Sequence, residues 1–395
     1  MSWKEKSVIM IREEFVKRVL SHEKSKAALC REYNISRPTG DKWIKRYINN
    51  EPLSNKSKAP FKTANKTSPD IENIILDYRK NHPAIGAVKI RRILENQGYQ
   101  NLPCNSTVNA ILKRNNCISK TASEAATPHK RFQKEKPNDM WQADFKGHFA
   151  LGDNSRCYPL NVIDDHSRFN LCCQALTSEK FVDVVPVFVR LFKEYGLPKT
   201  LLCDNGNPWG TAQSTGYTNF EIWLMDLGIL TIHGRPLHPQ TQGKEESFNR
   251  SLKRELLKFH QFSCISESQY HFDKYREFYN NERPHHSLGL DVPSEHYCKS
   301  ERKYPEKINE WEYPTEFKLK RVKSSGYITI NSQGYFLSES FGDKTVAINE
   351  SSHKGCFNIY YRQFKIARIN IEKRVFESKR IYLNENDPRF NNLKV

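Results

Sequence analysis

The stretch from His238 to Leu256, His-Pro-Gln-Thr-Gln-Gly-Lys-Glu-Glu-Ser-Phe-Asn-Arg-Ser-Leu-Lys-Arg-Glu-Leu, constrains the fold more than any other part of the chain. It opens as a Pro/Gly turn and continues as a helix. On that helix Phe248, Leu252, Leu256 and Phe259 fall on one stripe at about 100° per residue. A helix with one apolar face has to lie on another layer. On the same wheel Glu245 falls inside the stripe, whereas Glu246 falls roughly 100° away, beside Asn249, Arg250 and Lys253. Glu246 is therefore the carboxylate that can reach a solvent-filled cleft, and Glu245 is the one to set aside.

The layer that receives this helix is a mixed sheet. From Asp139 onward the sequence alternates strands and helices. Strands are expected near 140–149, 158–164, 168–176, 200–204 and 229–233. Helices are expected at 178–195, 219–227, 241–260 and 266–281. In Trp141-Gln-Ala-Asp-Phe-Lys-Gly, two-residue alternation points Asp144 away from Trp141, Ala143 and Phe145. Asp204 ends Leu201-Leu-Cys-Asp-Asn-Gly at the carboxyl end of a strand, the edge where α/β sheets hold ligands. Ile163-Asp-Asp-His-Ser-Arg reads as a hairpin turn, with Asp165 as its capping residue.

The charge is uneven. Of a net +18 over 395 residues, residues 1–137 carry +15, with 28 Lys+Arg against 13 Asp+Glu. That bias suits a polyanion. Residues 1–50 read as a helix-turn-helix, with helices Val8–Leu20, Lys26–Tyr33 and a third capped by Ser36 that carries Arg37, Lys42, Lys45 and Arg46. A Lys-bearing linker spans 51–67. A second helix-turn-helix spans 68–116, its last helix ending in Lys113-Arg114, and a further linker spans 117–137. The core is expected over 138–300, followed by short strands at 315–380 as in a small β-barrel. None of the ten cysteines forms a CxxC pair, so no zinc finger or disulfide framework is indicated. No apolar run approaches a membrane span, and a soluble cytoplasmic protein associated with the nucleoid is expected.

Three carboxylates converging without a His/Cys cluster suit a hard ion, Mg²⁺ or Mn²⁺. Two such ions about 3.5–4 Å apart would serve a phosphodiester. Trp141-Gln-Ala-Asp-Phe-Lys-Gly, Val162-Ile-Asp-Asp-His-Ser-Arg, Cys203-Asp-Asn-Gly, the His238–Arg250 stretch and Tyr279-Asn-Asn-Glu-Arg-Pro-His-His-Ser-Leu occur in that order. This series resembles the bacterial insertion-sequence transposases with a retroviral-integrase-like catalytic core. The resemblance implies a ribonuclease-H-like fold for the central region, between N-terminal helix-turn-helix modules and a C-terminal barrel. It also implies Asp144, Asp204 and Glu246 as catalytic and metal-binding residues, with Asp144 shared by two ions.

The activity implied is metal-dependent cleavage of double-stranded DNA at the ends of an insertion sequence, followed by transfer of the freed 3′-hydroxyl to target DNA by a homo-oligomer. Lys244, Asn249, Arg250 and Lys253 are placed on the same helix to hold DNA, and His238 to shape the loop before it. Arg283, His285 and His286 either order the site or build a turn around Pro284. Two features depart from the family. Glu245 stands where an apolar residue is usual, and the spacer from Asp204 to Glu246 is lengthened by residues 207–216. The competing reading is a catalytically silent, sequence-specific DNA-binding repressor, which has no need of three converging acids.

Overall fold

The computed structural model describes residues 7–56, 67–118, 133–210, 216–234, 243–351, 353–373, 375–378 and 381–382. The chain divides into two compact units, 1–66 and 67–395.

In the first unit, α1 (Val8–Leu20), α2 (Lys26–Glu32) and α3 (Arg37–Ile48) each begin at a serine, Ser7, Ser25 and Ser36. Each serine side chain accepts the backbone N–H three residues on, which satisfies an amide that the helix itself leaves without a partner. Phe15, Val16, Leu29, Cys30 and Trp43 form the core. Gly40 lets α3 approach so closely that a Cβ there would lie 2.8 Å from the Cys30 sulfur and 3.1 Å from the Phe15 ring.

The second unit opens with α4 (Pro69–Asn81), α5 (Ala87–Asn96) and α6 (Asn105–Arg114), packed around Ile75, Ile90, Ile93, Val108 and Ile111. This cluster leans on the central domain. His82 stacks between Tyr78 and Phe278, at 4.6 and 5.0 Å, and Arg92 pairs with Asp291.

The central sheet contains β1 (Met140–Phe145), β2 (Phe149–Ala150), β3 (Arg156–Asp164), β4 (Asn170–Leu176), β5 (Thr200–Cys203) and β6 (Leu230–His233). β3 runs antiparallel to β1, β2 and β4, while β1, β5 and β6 run parallel. Alternation along each strand sorts side chains to two faces. Trp141, Ala143, Leu160, Val162 and Cys172 face α7 (Phe181–Tyr195) and α8 (Asn219–Asp226). Ile163 and Cys173 face α9 (Gly243–Leu252) and α10 (Ile265–Asn281), where Phe248, Leu252, Phe272 and Tyr279 complete the core. Asp144 lies on the α9 face, opposite Trp141. Helices on both sides of this mixed sheet match the expected central fold.

The C-terminal region departs from the expected barrel. β7 (Lys318–Arg321), β10 (Thr345–Glu350), β11 (Cys356–Tyr361), β12 (Phe364–Asn370) and β13 (Val375–Ser378) form an open antiparallel sheet in the order β13-β12-β11-β10-β7. β8 (Tyr327–Ile330) and β9 (Gln333–Phe336) make a separate hairpin, turning at Asn331 and Ser332, both with positive φ. The hairpin lays Ile328, Ile330 and Tyr335 on Val346, Ile348 and Ile359 of the sheet. The apolar faces are thus covered by stacking two layers, without joining β7 to β13. Edge strand β7, Lys-Leu-Lys-Arg, is exposed throughout and is protected by charge. A short β14 (Ile381–Tyr382) pairs instead with β6 and extends the central sheet. Among the described residues no helix is long and apolar enough to cross a membrane.

Candidate active site

Parallel pairing of β1 with β5 sets Gln142 opposite Leu202, so two residues further on Asp144 stands level with Asp204. Asp204 begins the loop after β5, where its Oδ1 accepts the Gly206 amide at 2.9 Å. A Cβ at Gly206 would come within 3.2 Å of that carboxylate. Asp144 accepts the Asn249 side-chain amide at 3.0 Å, and Asn249 in turn accepts from Asn161 at 2.7 Å. A polar relay therefore runs from β3 through α9 to the β1 carboxylate. Burial raises the Asp144 carboxyl from 3.8 to about 7, and the negative charge of Asp204, then more weakly that of Glu246, adds to the rise. The Phe145 amide and Asn249 offset only part of it.

Glu246 is exposed on the first turn of α9. Glu245, beside it, is fully buried, and neither of its carboxyl oxygens completes a hydrogen bond. Burial first, then the charge of Asp144, push this carboxyl well above the usual carboxylate range, against a smaller opposing effect from the Ile163 backbone. The charged form of Glu245 is thus disfavoured inside the apolar stripe. The stripe ends sooner than its periodicity predicts. Residues Lys253–Leu257 form a π turn, and Phe259 emerges 49% exposed. The helix ends with this turn, so Phe259 falls beyond it and off the inner face.

Lys244 does not face outward as expected. It forms a buried ion pair with Asp165, at 12% and 0% side-chain exposure. Burial lowers its amine to about 8, with Asp165 acting in the opposite direction. Asp165 also accepts Gln142 Nε2 at 2.6 Å and the Lys134 amide at 2.8 Å. The turn itself is capped by Asp164, which accepts the Ser167 amide and hydroxyl at 2.8 and 2.7 Å. The capping role expected of Asp165 thus falls to Asp164, and Asp165 seats the start of α9. Asn249, expected to face DNA, is likewise turned inward to Asp144. Arg250 and Lys253 remain exposed.

Behind Asp204 lies a pair that the sequence patterns did not single out. His233 Nδ1 donates to the Asp204 backbone carbonyl at 2.9 Å, while Nε2 lies 2.9 Å from Glu221 Oε1. Both residues are buried. Glu221 also accepts the Thr218 amide at 2.7 Å and completes a capping box on α8. The Thr218-x-x-Glu221 spacing was the one available signal. At the far end of α9, Arg283 grips Glu255 through two 2.7 Å bonds and reaches Ser251 at 3.1 Å. His285 packs edge-on against Tyr279, and burial beside Arg283 and Lys89 drives its ring to about 2, so it is neutral.

The other predicted contacts are dispersed. Arg37, Lys42 and Lys45 are exposed on α3, and Arg46 is half-buried and donates to the Ser54 carbonyl. Lys113 is exposed on α6, while Arg114 pairs with Glu72. His238 lies outside the described residues. Of the lengthened loop, Trp209 is buried against Phe188 and Phe220, and Tyr217 bonds to the Ile366 carbonyl, so its described ends cover the core.

Asp144, Asp204 and Glu246 offer oxygen donors only, and the repulsion that Asp204 and Glu246 exert on Asp144 is what a divalent cation relieves, so the donor set fits Mg²⁺ or Mn²⁺. Among the described residues, the group of three donors that all lie within 4.8 Å of one another is Asp291, Glu295 and His296, and the donors of Asp144, Asp204 and Glu246 do not all come that close. That group is engaged in ion pairs from Asp291 to Arg92 and His296.

Residues 134–239 and 227–293 match integrase core domain families, and residues 11–61 match a helix-turn-helix domain family. Over 159 residues the chain is 30% identical to the insertion element IS476 uncharacterized 39.2 kDa protein of Xanthomonas euvesicatoria, covering 40% of this chain and 44% of that protein. Over 163 residues it is 26% identical to the insertion element IS407 uncharacterized 31.7 kDa protein of Burkholderia multivorans, covering 41% of this chain and 56% of that protein. The chain thus spans about half the length of the curated relatives it matches. The HTLV-2 integrase catalytic core domain in complex with magnesium aligns with 42% of this chain and all of its own, at 17% identity and a TM-score of 0.32. The chain thus carries an integrase core domain match over 134–293 and a helix-turn-helix domain match over 11–61, and it is similar to insertion-element proteins over part of their length.

Proposed function

We propose that the protein is a transposase that binds the ends of an insertion sequence and performs metal-dependent DNA cleavage and strand transfer with Asp144, Asp204 and Glu246. The observation that carries this reading is the electrostatic coupling of the three acids. Asp204 and Glu246 both raise the Asp144 carboxyl, an arrangement that is costly in a protein with no use for a cation. A bound Mg²⁺ or Mn²⁺, and two in the full site, would supply charge neutralisation for a phosphodiester under in-line attack. Asn249 orients Asp144, the His233–Glu221 pair fixes the backbone of Asp204, and Lys244–Asp165 seats the turn that presents Glu246. No Ser or Tyr nucleophile is required, because the attacking groups are water and then a DNA 3′-hydroxyl.

Arg37, Lys42, Lys45 and Lys113 are read as the duplex-end contacts of the two helical modules, with Arg46 and Arg114 as flanking supports. Arg250 and Lys253 are read as backbone contacts beside the acids. Joining two ends calls for at least a dimer. The test uses the full chain and the DNA that flanks its coding region. The expected result is a nick at each element end and joining of the freed 3′-hydroxyl, both dependent on Mg²⁺ or Mn²⁺. Tight binding with no cut in either metal contradicts the reading.

A further inference from the structure

A groove of about 990 Å³ opens between the β1–β2 connection and the far half of the α9 helix, and it extends well past the Arg250 and Lys253 contacts named above. It begins beside the carboxylates: Lys146 lies two residues past Asp144, and Arg250 lies one helical turn past Glu246. From there its rim continues through Lys253, Arg254 and Lys258, and among the described residues no acidic side chain lines it. The π turn at Lys253–Leu257 rotates Arg254 and Lys258 onto this rim. The floor is apolar and aromatic. Phe149 and Phe262 lie 5.7 Å apart, and the exposed His260 ring stacks at 6.1 Å from Phe262.

We propose that this groove binds single-stranded DNA, an unpaired segment that leads to the carboxylates; this rests on the function proposed above. A cationic rim over an aromatic floor is the combination that grips a single strand, with phosphates held at the edge and bases laid against rings. Duplex DNA presents its phosphates on a convex surface and keeps its bases stacked inside. It can touch the rim, and it cannot use the floor. The aromatic lining therefore favours the unpaired form.

The test measures binding of a labelled oligothymidylate and of a duplex of equal length to the full chain in EDTA, so that no cutting occurs. Arg254 and Lys258 are both exposed, and the double variant Arg254→Glu/Lys258→Glu is expected to melt with the parent. Reversing two phosphate-facing charges should weaken single-strand binding by roughly tenfold or more and flatten its salt dependence, and His260→Ala, which removes an exposed floor ring, should weaken single-strand binding several-fold while leaving duplex binding unchanged. No loss of single-strand binding in the double variant, or an equal loss on both DNAs in His260→Ala, overturns the proposal.

A 5-iodouracil oligonucleotide, photo-crosslinked to the unaltered protein, gives a second measurement that needs no variant. Crosslinked peptides from 146–152 or 258–263 support the groove, and crosslinks confined elsewhere overturn it. If flanking DNA is never cut while single-strand binding is lost in the double variant, the function proposed above fails and the groove stands. If DNA is cut and no single-strand preference exists, the groove alone fails.

Discussion

Asp144 and Asp204 stand level on neighbouring parallel strands, yet they are held by different means. Asp144 sits within β1, where the strand ladder fixes its backbone and a side-chain relay from Asn161 through Asn249 aims its carboxylate. Asp204 sits just past the end of β5, beyond the ladder, and a buried His233–Glu221 pair holds its backbone carbonyl from behind. Glu246 has neither support. It is exposed on a first helical turn whose seat depends on Lys244 and Asp165 at one end of α9 and on Arg283 and Glu255 at the other. The comparison teaches that one site draws its order from three sources, a strand ladder, a backbone clamp and a docked helix, and each can be broken separately.

The largest effect is expected on α9, where adjacent glutamates have opposite environments. Glu246→Gln should lower metal-dependent nicking by about a thousandfold or more, since several kcal/mol of charge stabilisation is lost. Glu245→Gln should retain most of the activity, because that carboxyl is buried on the apolar face and Gln keeps its shape without the disfavoured charge. Equal loss in both variants, measured in single-turnover nicking, would show that the two glutamates have been assigned the wrong way round.

Next comes the seat of the helix. Lys244→Met strands Asp165 in the interior without its cation and should cost about 3–5 kcal/mol in urea unfolding. Lys244→Met/Asp165→Asn should recover part of that loss. A single variant as stable as the parent would mean that the pair contributes nothing to the fold.

The backbone clamp on Asp204 should have a smaller and more selective effect. Glu221→Gln keeps the shape and alters the partner of His233, so Mn²⁺ affinity should fall by about tenfold, as for outer-shell partners of metal ligands. The melting temperature should change little. A stability loss with unchanged metal affinity would make the pair purely architectural.

The smallest effect concerns pH. The folded, metal-free chain keeps the Asp144 proton up to about 7, against an ordinary 3.8. Stability from this group is therefore fully present below the ordinary value and is lost as pH rises through about 7. Melting curves in EDTA should show a shallower decline across this window for Asp144→Asn. An identical slope would contradict the raised carboxyl.

Local patterns carried much of this architecture. Ser36 as a cap, the apolar face of the Val8–Leu20 helix and the wheel position of Glu245 all depend on neighbours within one or two turns. What the sequence left hidden depends on distant partners or on one inserted residue. Phe259 leaves the apolar stripe because a π turn intervenes. Lys244 turns inward because Asp165, 79 residues away, meets it there. His233 and Glu221 meet only because β6 runs beside β5 under α8. The open C-terminal sheet reflects long-range pairing that short alternating strands do not specify: five of them stack under a hairpin instead of closing.

The central claim, one cation site built from Asp144, Asp204 and Glu246, is tested most directly by calorimetric titration of Mn²⁺ into the full chain and its Asp204→Asn and Asp291→Asn variants. Binding should be lost with Asp204→Asn, retained with Asp291→Asn, and tighten as pH rises through about 7 while Asp144 sheds its proton. Binding that survives Asp204→Asn and disappears with Asp291→Asn would place the ion at the Asp291, Glu295 and His296 group and contradict the account.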